Sequence, residues 1–452
     1  MIGQDKLFAL FERVAKASKA DETEIVYVGS NYGLTRFANS IIHQNVNEDN
    51  AKIFFRTILG KKIGVASTNS IVLSDLKDTL RNSLEIAKYQ KDNKYFPGLP
   101  EPSEYAKLET YYENTAAYSP KDRARQVKKV FVRGNKRKFT AAGAYATGSG
   151  EIAVFNTKGA RCYQPFTSAS INIIAMSETS SGYAVGLSRK AEDEDIDVVS
   201  LADIAVEKAY LGKKPKPLEA GDYEVILEPS AVAALFEWLN YIGFGSKAYL
   251  EKTSFLSDKI GKKIMDDSVT VYDDGNDSSA IAMPFDFEGV PKKRVNIIEK
   301  GIGRGVVFDR ITGNKAGVSS TGHALTANDH GQGAIPLNIF LVPGNKTREE
   351  MIASVKRGIL VTRFHYINGY IDMPNAVLTG MTRDGTYFIE DGQIKHGIKN
   401  LRFTDSMLRA FSSVRGISRD RQLIPSWWDS VGCIAAPTVH LGSFKFTGTT
   451  DF

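Results

Sequence analysis

Residues 219–264 read "EAGDYEVILEPSAVAALFEWLNYIGFGSKAYLEKTSFLSDKIGKKI", in which a strand signal is followed directly by a helix signal. The opening residues alternate apolar and polar side chains, as a half-buried strand does. Glu228, Pro229 and Ser230 break that period, and Ser230 is the predicted N-cap of the helix. Apolar residues then recur at helical spacing and predict a helix with one face in a core: Val232, Leu235, Phe236, Leu239 and Ile242.

The loop after this helix carries Ser254 and Gly261. Strand, helix and loop together resemble the TldD/PmbA (TldE) family, whose members were once named modulators of DNA gyrase. In the catalytic TldD branch of that family, the helix carries a zinc motif, HExxxH, and the loop carries a matching serine and glycine. The resemblance covers most of the chain and is strongest after residue 219.

The positions of the zinc motif hold other residues here. An ungapped overlay of residues 225–254 places Glu237, Trp238 and Ile242 on the His, Glu and His of the motif. Zinc is bound by imidazole, thiolate or carboxylate groups, and Trp238 and Ile242 provide none. Residues 219–264 contain no histidine, so a different register would not restore the site. The resemblance therefore implies the PmbA/TldE branch, without a metal in this chain.

We interpret the helix as an element of the hydrophobic core. Side chains five apart on an ideal helix lie about 140° apart, so HExxxH needs a distorted turn to hold one ion. Here Leu235, Leu239 and Ile242 form an apolar stripe. Direct chemistry at Glu237 is the alternative, and it is disfavoured because acidic residues are rarely buried unpaired.

Composition indicates a soluble globular protein. The chain has 452 residues, 42% of them hydrophobic and 24% charged, which suits two or three domains with large cores. No apolar run of about 18 residues and no leader pattern at the N-terminus occur, so we expect a cytoplasmic protein without a membrane contact. Cys162 and Cys433 are too few and too far apart for a disulfide framework.

The predicted fold class is α+β, with N-terminal α/β modules containing mixed sheets and a large β-rich C-terminal domain. Residues 1–92 form the first module, 93–118 a linker, 119–212 a central module and 219–452 the C-terminal domain. The linker carries "FPGLPEPSEY", and "KKPKP" marks the second boundary. The first module should hold four strands, "TEIVYVGS", "LTRFANSIIHQNV", "AKIFFRTIL" and "KKIGVAST"; the central one should hold separate strands in "KFTAAGAYATG" and "EIAVFNTKG". Asp391-Gly392 predicts a hairpin turn in the C-terminal domain.

Residues 121–138 concentrate positive charge, with nine Lys or Arg against one Asp in a chain of net charge +6. Ser119 and Asp122 predict a capped helix start, and the buried face should hold Ala124, Val127, Val130 and Phe131. We interpret the basic side as a solvated helix face. An acidic partner is an alternative, and nucleic acid is disfavoured because no aromatic stacking positions accompany the charge.

Two further segments contain candidate site residues. His323, Asp329 and His330 share a polar loop and are candidates for peptide contact, although loop polarity alone is the plainer interpretation. Their spacing fits no standard zinc pattern. Cys433 stands where the resemblance implies a third zinc ligand in the catalytic branch, but a lone thiolate builds no zinc site, and we expect an inert buried thiol. His365 alternates with aromatic residues on a predicted strand and is interpreted as structural.

The resemblance implies a function without catalysis by this chain alone. It would be the PmbA/TldE-like subunit of a zinc metalloprotease acting on unfolded or extended peptides, and zinc would be held by a TldD-like partner in a heterodimer. An extended peptide could add as a strand to a sheet edge. The alternative is a self-sufficient homodimeric protein that binds peptides or small ligands. Direct binding of DNA or gyrase is a third, weaker hypothesis.

Overall fold

The computed structural model describes residues 1–426 and 432–449, and these residues form an α+β fold, as predicted. The helices are α1 (Gln4–Ala15), α2 (Leu73–Tyr89), α3 (Glu113–Ala116), α4 (Pro120–Lys136), α5 (Val198–Leu211), α6 (Pro229–Leu239), α7 (Ser246–Leu250), α8 (Arg310–Ala316), α9 (Arg348–Ala353) and α10 (Met407–Phe411). The N-terminal strands are β1 (Glu22–Ala38), β2 (Ile41–Leu59), β3 (Lys62–Thr68), β4 (Thr140–Asn156), β5 (Arg161–Met176) and β6 (Ser181–Ser188). The C-terminal strands are β7 (Gly221–Leu227), β8 (Val271–Asp273), β9 (Val295–Glu299), β10 (Ile302–Gly303), β11 (Asn338–Leu341), β12 (Arg357–Asp372), β13 (Val377–Glu390), β14 (Gln393–Gly397), β15 (Leu401–Ser406), β16 (Val414–Pro425) and β17 (Cys433–Thr449).

One six-stranded antiparallel sheet contains the strands of both N-terminal modules, in the order β3-β2-β1-β4-β5-β6. Strand β1 pairs with β4 over 14 residues, from Glu24 opposite Asn156 to Phe37 opposite Gly143. Residues 1–92 and 119–212 therefore share a sheet across the proline-rich connection. The three-domain division remains a prediction from composition.

Two predicted strand boundaries are wrong. The segment "LTRFANSIIHQNV" is not one strand, because the hairpin turn between β1 and β2 lies inside it, at Asn39 and Ser40. Both turn residues have positive φ, 51° and 58°, and neither is the glycine that usually signals such a turn. The break predicted within residues 138–159 is absent, since β4 runs through it as one strand.

Side chains of this sheet alternate between two environments, as the pleat requires. On one face, Ile25 and Phe55 lie in a core with α1 and α2. On the other, Val26 and Phe54 pack against the C-terminal part at Phe285. The sheet is thus covered by helices on one side and by the C-terminal domain on the other.

A buried ion cluster joins the sheet to the C-terminal domain. The guanidinium of Arg56 on β2 contacts Glu24 on β1 at 2.6 Å and Glu288 at 2.7 Å, and all three side chains are at most 4% exposed. Burial raises the pKa of Glu24 to about 7 despite the adjacent guanidinium. Burial and the Glu288 charge likewise raise the pKa of Asp286 to about 7. Carboxylates outnumber guanidinium groups at this contact.

The basic helix α4 begins as predicted, with a capping box between Ser119 and Asp122. Its buried face includes Val127 and Val130, but also Arg123, which the apolar pattern could not indicate. Arg123 is 1% exposed and donates to the hydroxyls of Thr35 and Thr147 on the sheet. On the outer side, acidic groups of α5 and the loop before it pair with Lys129, Arg133 and Arg137.

The C-terminal domain is built on a mixed eleven-stranded sheet. Strands β17, β15, β13, β12 and β7 follow one another, and β7 pairs again with β17, so these five strands close a ring. The hairpin predicted at Asp391 and Gly392 joins β13 to β14. Among the described helices, none is long and apolar enough to span a membrane.

Candidate functional site

Helix α6 follows β7, at the position predicted from residues 219–264. Its N-cap is Glu228, with Pro229 at the first helical position, so the predicted cap at Ser230 is wrong. Proline suits that position because it lacks the N–H that would have no helical partner. The Glu228 carboxylate contacts Lys208 at 2.6 Å and Arg348 at 2.8 Å. Burial acts to raise the pKa of Glu228, but these two cations outweigh it and lower the pKa.

The helix does not end regularly but continues as a π-helical turn, Asn240–Phe244. In π-helical geometry, hydrogen bonds join residues five apart. This is the kind of distortion that an HExxxH motif on this helix would require. The backbone feature is present, although Ile242 within the turn is 1% exposed and lies in the C-terminal core.

Gly243 allows this turn to pack closely. A Cβ atom at Gly243 would overlap the ring of Phe255. We therefore expect Gly243→Ala to lower the free energy of unfolding by about 1–3 kcal/mol, as overpacking does. Chemical denaturation measures it, with Gly331→Ala as the control because a Cβ there meets no atom within 4 Å. Equal stability of the two variants would contradict the close packing.

A cleft of about 550 Å³ opens beside α6. Its walls are Ser230, Ala234, Glu237 and Trp238 of α6, the end of β16 with Ser426, and residues 363–367 of β12. Successive side chains on a strand point to opposite faces. This alternation is interrupted along the wall, since the pairing of β12 with β13 shifts register between Val361 and Arg363 and between His365 and Asn368, and Tyr366 has a positive φ of 52°.

Within the described residues, the edge of β12 that faces β7 has no partner strand beyond Val361. Strand β7 pairs with β12 only from Gly358 to Val361, and then turns into α6. In the described part of the chain, no strand pairs with this side of residues 363–372. Tyr366 and Tyr370 on this segment are 79% and 55% exposed.

Trp238 of the cleft wall belongs to a cluster of three aromatic rings. Trp238, Tyr241 and Tyr370 contact one another edge to face, with ring centroids 5.7–6.1 Å apart. Trp238, which occupies the motif's glutamate position, is 6% exposed. Such rings offer apolar area with little loss of conformational entropy on binding.

Two basic residues of β12 line the same cleft. Arg363 is paired with Asp384 and lies 4.3 Å from the centroid of the Tyr183 ring. Burial and the charges of Arg383 and Arg363 lower the pKa of His365, so its ring is neutral at pH 7. The sequence predicts a structural role for His365 and not its place in the cleft wall, because alternation alone does not show which face of a strand is open.

A second cavity, of about 220 Å³, shares Glu237 and Ser426 with the wall of the cleft. Glu237, Asp329 and Cys433 all line it, so the fold brings together three residues singled out from distant parts of the sequence. The Ser426 hydroxyl donates to Glu237 Oε1 at 2.5 Å. Cys433 is 1% exposed, and burial raises the pKa of its thiol to about 12, which fits the expected inert thiol.

The loop histidines do not join Asp329. His323 is buried, and its Nε2 lies 2.6 Å from Asp273. Burial and the Lys292 charge lower the pKa of His323, so it is a neutral donor to that carboxylate. The Nδ1 of His330 lies 2.6 Å from the Ala327 carbonyl oxygen, and His330 lines a different cavity beside Arg56. The three residues therefore form no single site.

Three family models match the chain and cover most of it. They are PmbA/TldA metallopeptidase domain 1 at residues 23–87, the central domain at 99–211 and the C-terminal domain at 220–448. The chain belongs to the PmbA/TldD family. The family predicted from the helix segment is thus confirmed.

Relatives in the PmbA/TldD family carry peptidase names. A metalloprotease of Methanothermobacter thermautotrophicus is 22% identical, over 62% of this chain and 62% of its own length. A metalloprotease TldD homologue of Buchnera aphidicola is 23% identical, over 85% of this chain and 82% of its own. The crystal structure of TldE from Thermococcus kodakarensis has a TM-score of 0.87 at 21% identity, over 98% of this chain and 100% of that one. This last likeness establishes the fold.

The zinc site implied by the PmbA/TldD family does not fit the residues of α6 and of the π-helical turn. Glu237 has a carboxylate, but the indole of Trp238 and the alkyl side chain of Ile242 have no donor for zinc. Within residues 1–426 and 432–449, no three His, Cys, Asp or Glu side chains are grouped to hold a metal ion.

Proposed function

We propose that this chain is the non-catalytic, PmbA/TldE-like subunit of a two-subunit metalloprotease acting on unfolded or extended peptides. A TldD-like partner would hold the zinc ion and carry out cleavage. The observation that carries the proposal is at α6. Helix α6 and the π-helical turn lie where the resemblance places HExxxH, while Glu237, Trp238 and Ile242 occupy its His, Glu and His positions.

The role of this chain would be to hold peptide along the cleft. An extended peptide could pair with the open edge of β12 at residues 363–372, so that main-chain hydrogen bonds bind it without regard to sequence. Tyr366 and Tyr370 are exposed beside that edge and would contact its side chains. This mode suits an unfolded substrate because only such a chain can offer a free strand.

The test is cleavage of an unfolded peptide by this chain, by a TldD-like protein of the same organism, and by the mixture, each with and without chelator. We expect chelator-sensitive cleavage that is at least tenfold faster in the mixture than with the partner alone. Copurification of the two chains should accompany it. Cleavage by this chain alone, or no effect of mixing, would refute the accessory role.

Tyr370→Ala tests where the peptide lies. Loss of the ring should weaken peptide binding about fivefold to tenfold, within the range of an interface aromatic residue. Loss of its contacts with Trp238 and Tyr241 should also lower the free energy of unfolding by about 1 kcal/mol. Fluorescence anisotropy with a labelled unfolded peptide measures the affinity. Tyr89→Ala is the matched control, since Tyr89 is 86% exposed at the end of α2. Equal affinity of both variants would place the peptide elsewhere.

A self-sufficient homodimer is the second candidate. It is favoured by the cleft, which α6, β12 and the end of β16 line together. Sedimentation of the chain purified from its own host distinguishes the homodimer from the heterodimer with a TldD-like subunit. A symmetric dimer without a TldD-like protein, with undiminished peptide affinity, would support the second candidate.

A further inference from the structure

Arg363 places a cation in the wall of the cleft of about 550 Å³. Its guanidinium has five N–H donors in a rigid fork. Nε donates to Asp384 Oδ2 at 2.7 Å and Nη2 donates to the same oxygen, while Nη1 has no hydrogen-bond partner among the described residues. The side chain is 22% exposed. One edge of the guanidinium is therefore used within the protein, and the end formed by Nη1 and Nη2 remains for a ligand.

Two neighbours hold the guanidinium in this orientation. Asp384 is 5% exposed and also accepts from the Ser181 hydroxyl at 2.6 Å. The ring of Tyr183 lies against the other side of the contact, with its centroid 4.3 Å from Arg363 Cζ. A guanidinium fixed by a buried carboxylate and an aromatic face loses little conformational entropy when it binds a ligand. Strands β6 and β13 thus position one cation of β12.

The charges around Arg363 favour an anion. His365 lies two residues further on the same face of β12, because the pairing with β13 is regular from Arg363 to His365. Burial lowers the pKa of His365, and the charges of Arg383 and Arg363 lower it further. The charge of Asp384 opposes them and has the smaller effect. The described lining of the cleft holds one carboxylate, Glu237, which has partners of its own.

The place of Arg363 along β12 determines which end of a bound peptide would lie beside it. Strand β7 occupies this edge of β12 as far as Val361. A peptide that pairs with residues 363–372 must therefore end, or turn away, next to Arg363. A peptide antiparallel to β12 would bring its carboxyl end there, and a parallel one its ammonium end. The cation favours the antiparallel direction.

We propose that Arg363 determines specificity by binding a carboxylate of the peptide ligand end-on, through Nη1 and Nη2. The two oxygens of a carboxylate match the fork and accept two parallel hydrogen bonds. The source is the C-terminal carboxylate of an antiparallel peptide or the side chain of an Asp or Glu. This inference rests on the proposed peptide-binding function for that source. The recognition itself is separable, because small carboxylates do not need to pair as a strand.

The test uses the purified full chain and three small ligands, with affinities from ligand-observed NMR. N-acetyl-leucine carries an α-carboxylate, N-acetyl-glutamate α-methylamide a side-chain carboxylate, and N-acetyl-leucine methylamide none. We expect at least one of the two carboxylates to bind about tenfold more tightly than the neutral compound, as for hydrogen bonds to a charged group. The tighter carboxylate identifies the source. Equal binding of all three, or binding of none, overturns the proposal, whatever the result with a TldD-like partner.

Arg363→Lys locates the effect. Lysine can still pair with Asp384 but offers a point charge instead of a fork, so the preference for the carboxylate should fall below about threefold. Arg357→Lys is the matched control and should keep the preference. Arg357 lies on the same strand, 5.8 Å from the centroid of the Tyr223 ring, and is not part of the described lining of the cleft.

A double variant, Arg363→Gln with Asp384→Asn, covers the case in which Arg363→Lys does not fold. It removes both charges together, so neither is left buried without its partner. We expect it to fold, as melting curves would show, and to bind the neutral compound and the carboxylates equally. A preference that is unchanged in Arg363→Lys and in the double variant overturns the assignment.

Discussion

Arg56→Met is expected to lower the free energy of unfolding by about 3–5 kcal/mol, the cost of leaving buried charges without their partner. Methionine keeps much of the volume of the side chain but leaves Glu24 and Glu288 facing each other. Both are at most 4% exposed, so solvent cannot take the place of the guanidinium. Chemical denaturation monitored by fluorescence and by circular dichroism measures the loss.

The matched control for that loss is Arg81→Met. Arg81 pairs with Asp78 on the surface, where the two side chains are 68% and 60% exposed, and such pairs contribute about 0–1 kcal/mol. A loss at Arg56 no larger than at Arg81 would show that the carboxylates of the cluster relax into solvent. It would also mean that Arg56 does not hold the sheet to the C-terminal domain.

The same cluster should make stability depend on pH through Glu24. Its pKa in the folded protein, about 7, lies above the ordinary value of 4.5, so the folded state holds this proton more tightly than the unfolded one. The contribution of protonated Glu24 to the free energy of unfolding is complete below about pH 4.5 and is lost as the pH rises through 7. Relative to Glu24→Gln, the wild-type protein should lose on the order of 3 kcal/mol between pH 4.5 and 8.

Comparison with Glu24→Gln isolates this group, since Asp286, whose pKa burial also raises to about 7, is present in both proteins and its contribution largely cancels. Denaturation curves of the two proteins at pH 4.5, 6 and 8 give the difference. A constant difference over that range would mean that Arg56 keeps Glu24 ionised throughout. A difference of opposite sign would indicate a pKa of Glu24 below its ordinary value.

Local patterns predicted the elements whose signals are local. The strand and helix at residues 221–239, the capping box at Ser119 and the hairpin at Asp391 all depend on neighbours within a few residues. The absence of HExxxH from residues 219–264 could also be predicted from the sequence, because it depends only on which side chains are present. Errors arose where the signal was missing, as at the Asn39 turn, or where two candidates stood side by side, as at Glu228 and Ser230.

The site itself depends on contacts that spacing cannot give. Glu237 and Cys433 are 196 positions apart in the chain and yet line one cavity. His323 looked accessible in a polar loop, but the fold buries it against Asp273. The open side of β12 follows from the point at which β7 stops pairing, and no residue of β12 signals it.

The shared N-terminal sheet has a consequence for synthesis on the ribosome. Strand β1 lies between β2, which follows it at once, and β4, which begins at Thr140. Until β4 has been made, a nascent chain can form only the three-stranded meander β3-β2-β1, with the long edge of β1 unpaired. The sheet of the first family domain is therefore complete only once β4 has been made. We expect this stage of translation to be when the chain most needs a chaperone, because late pairing of distant strands is slow and prone to aggregation.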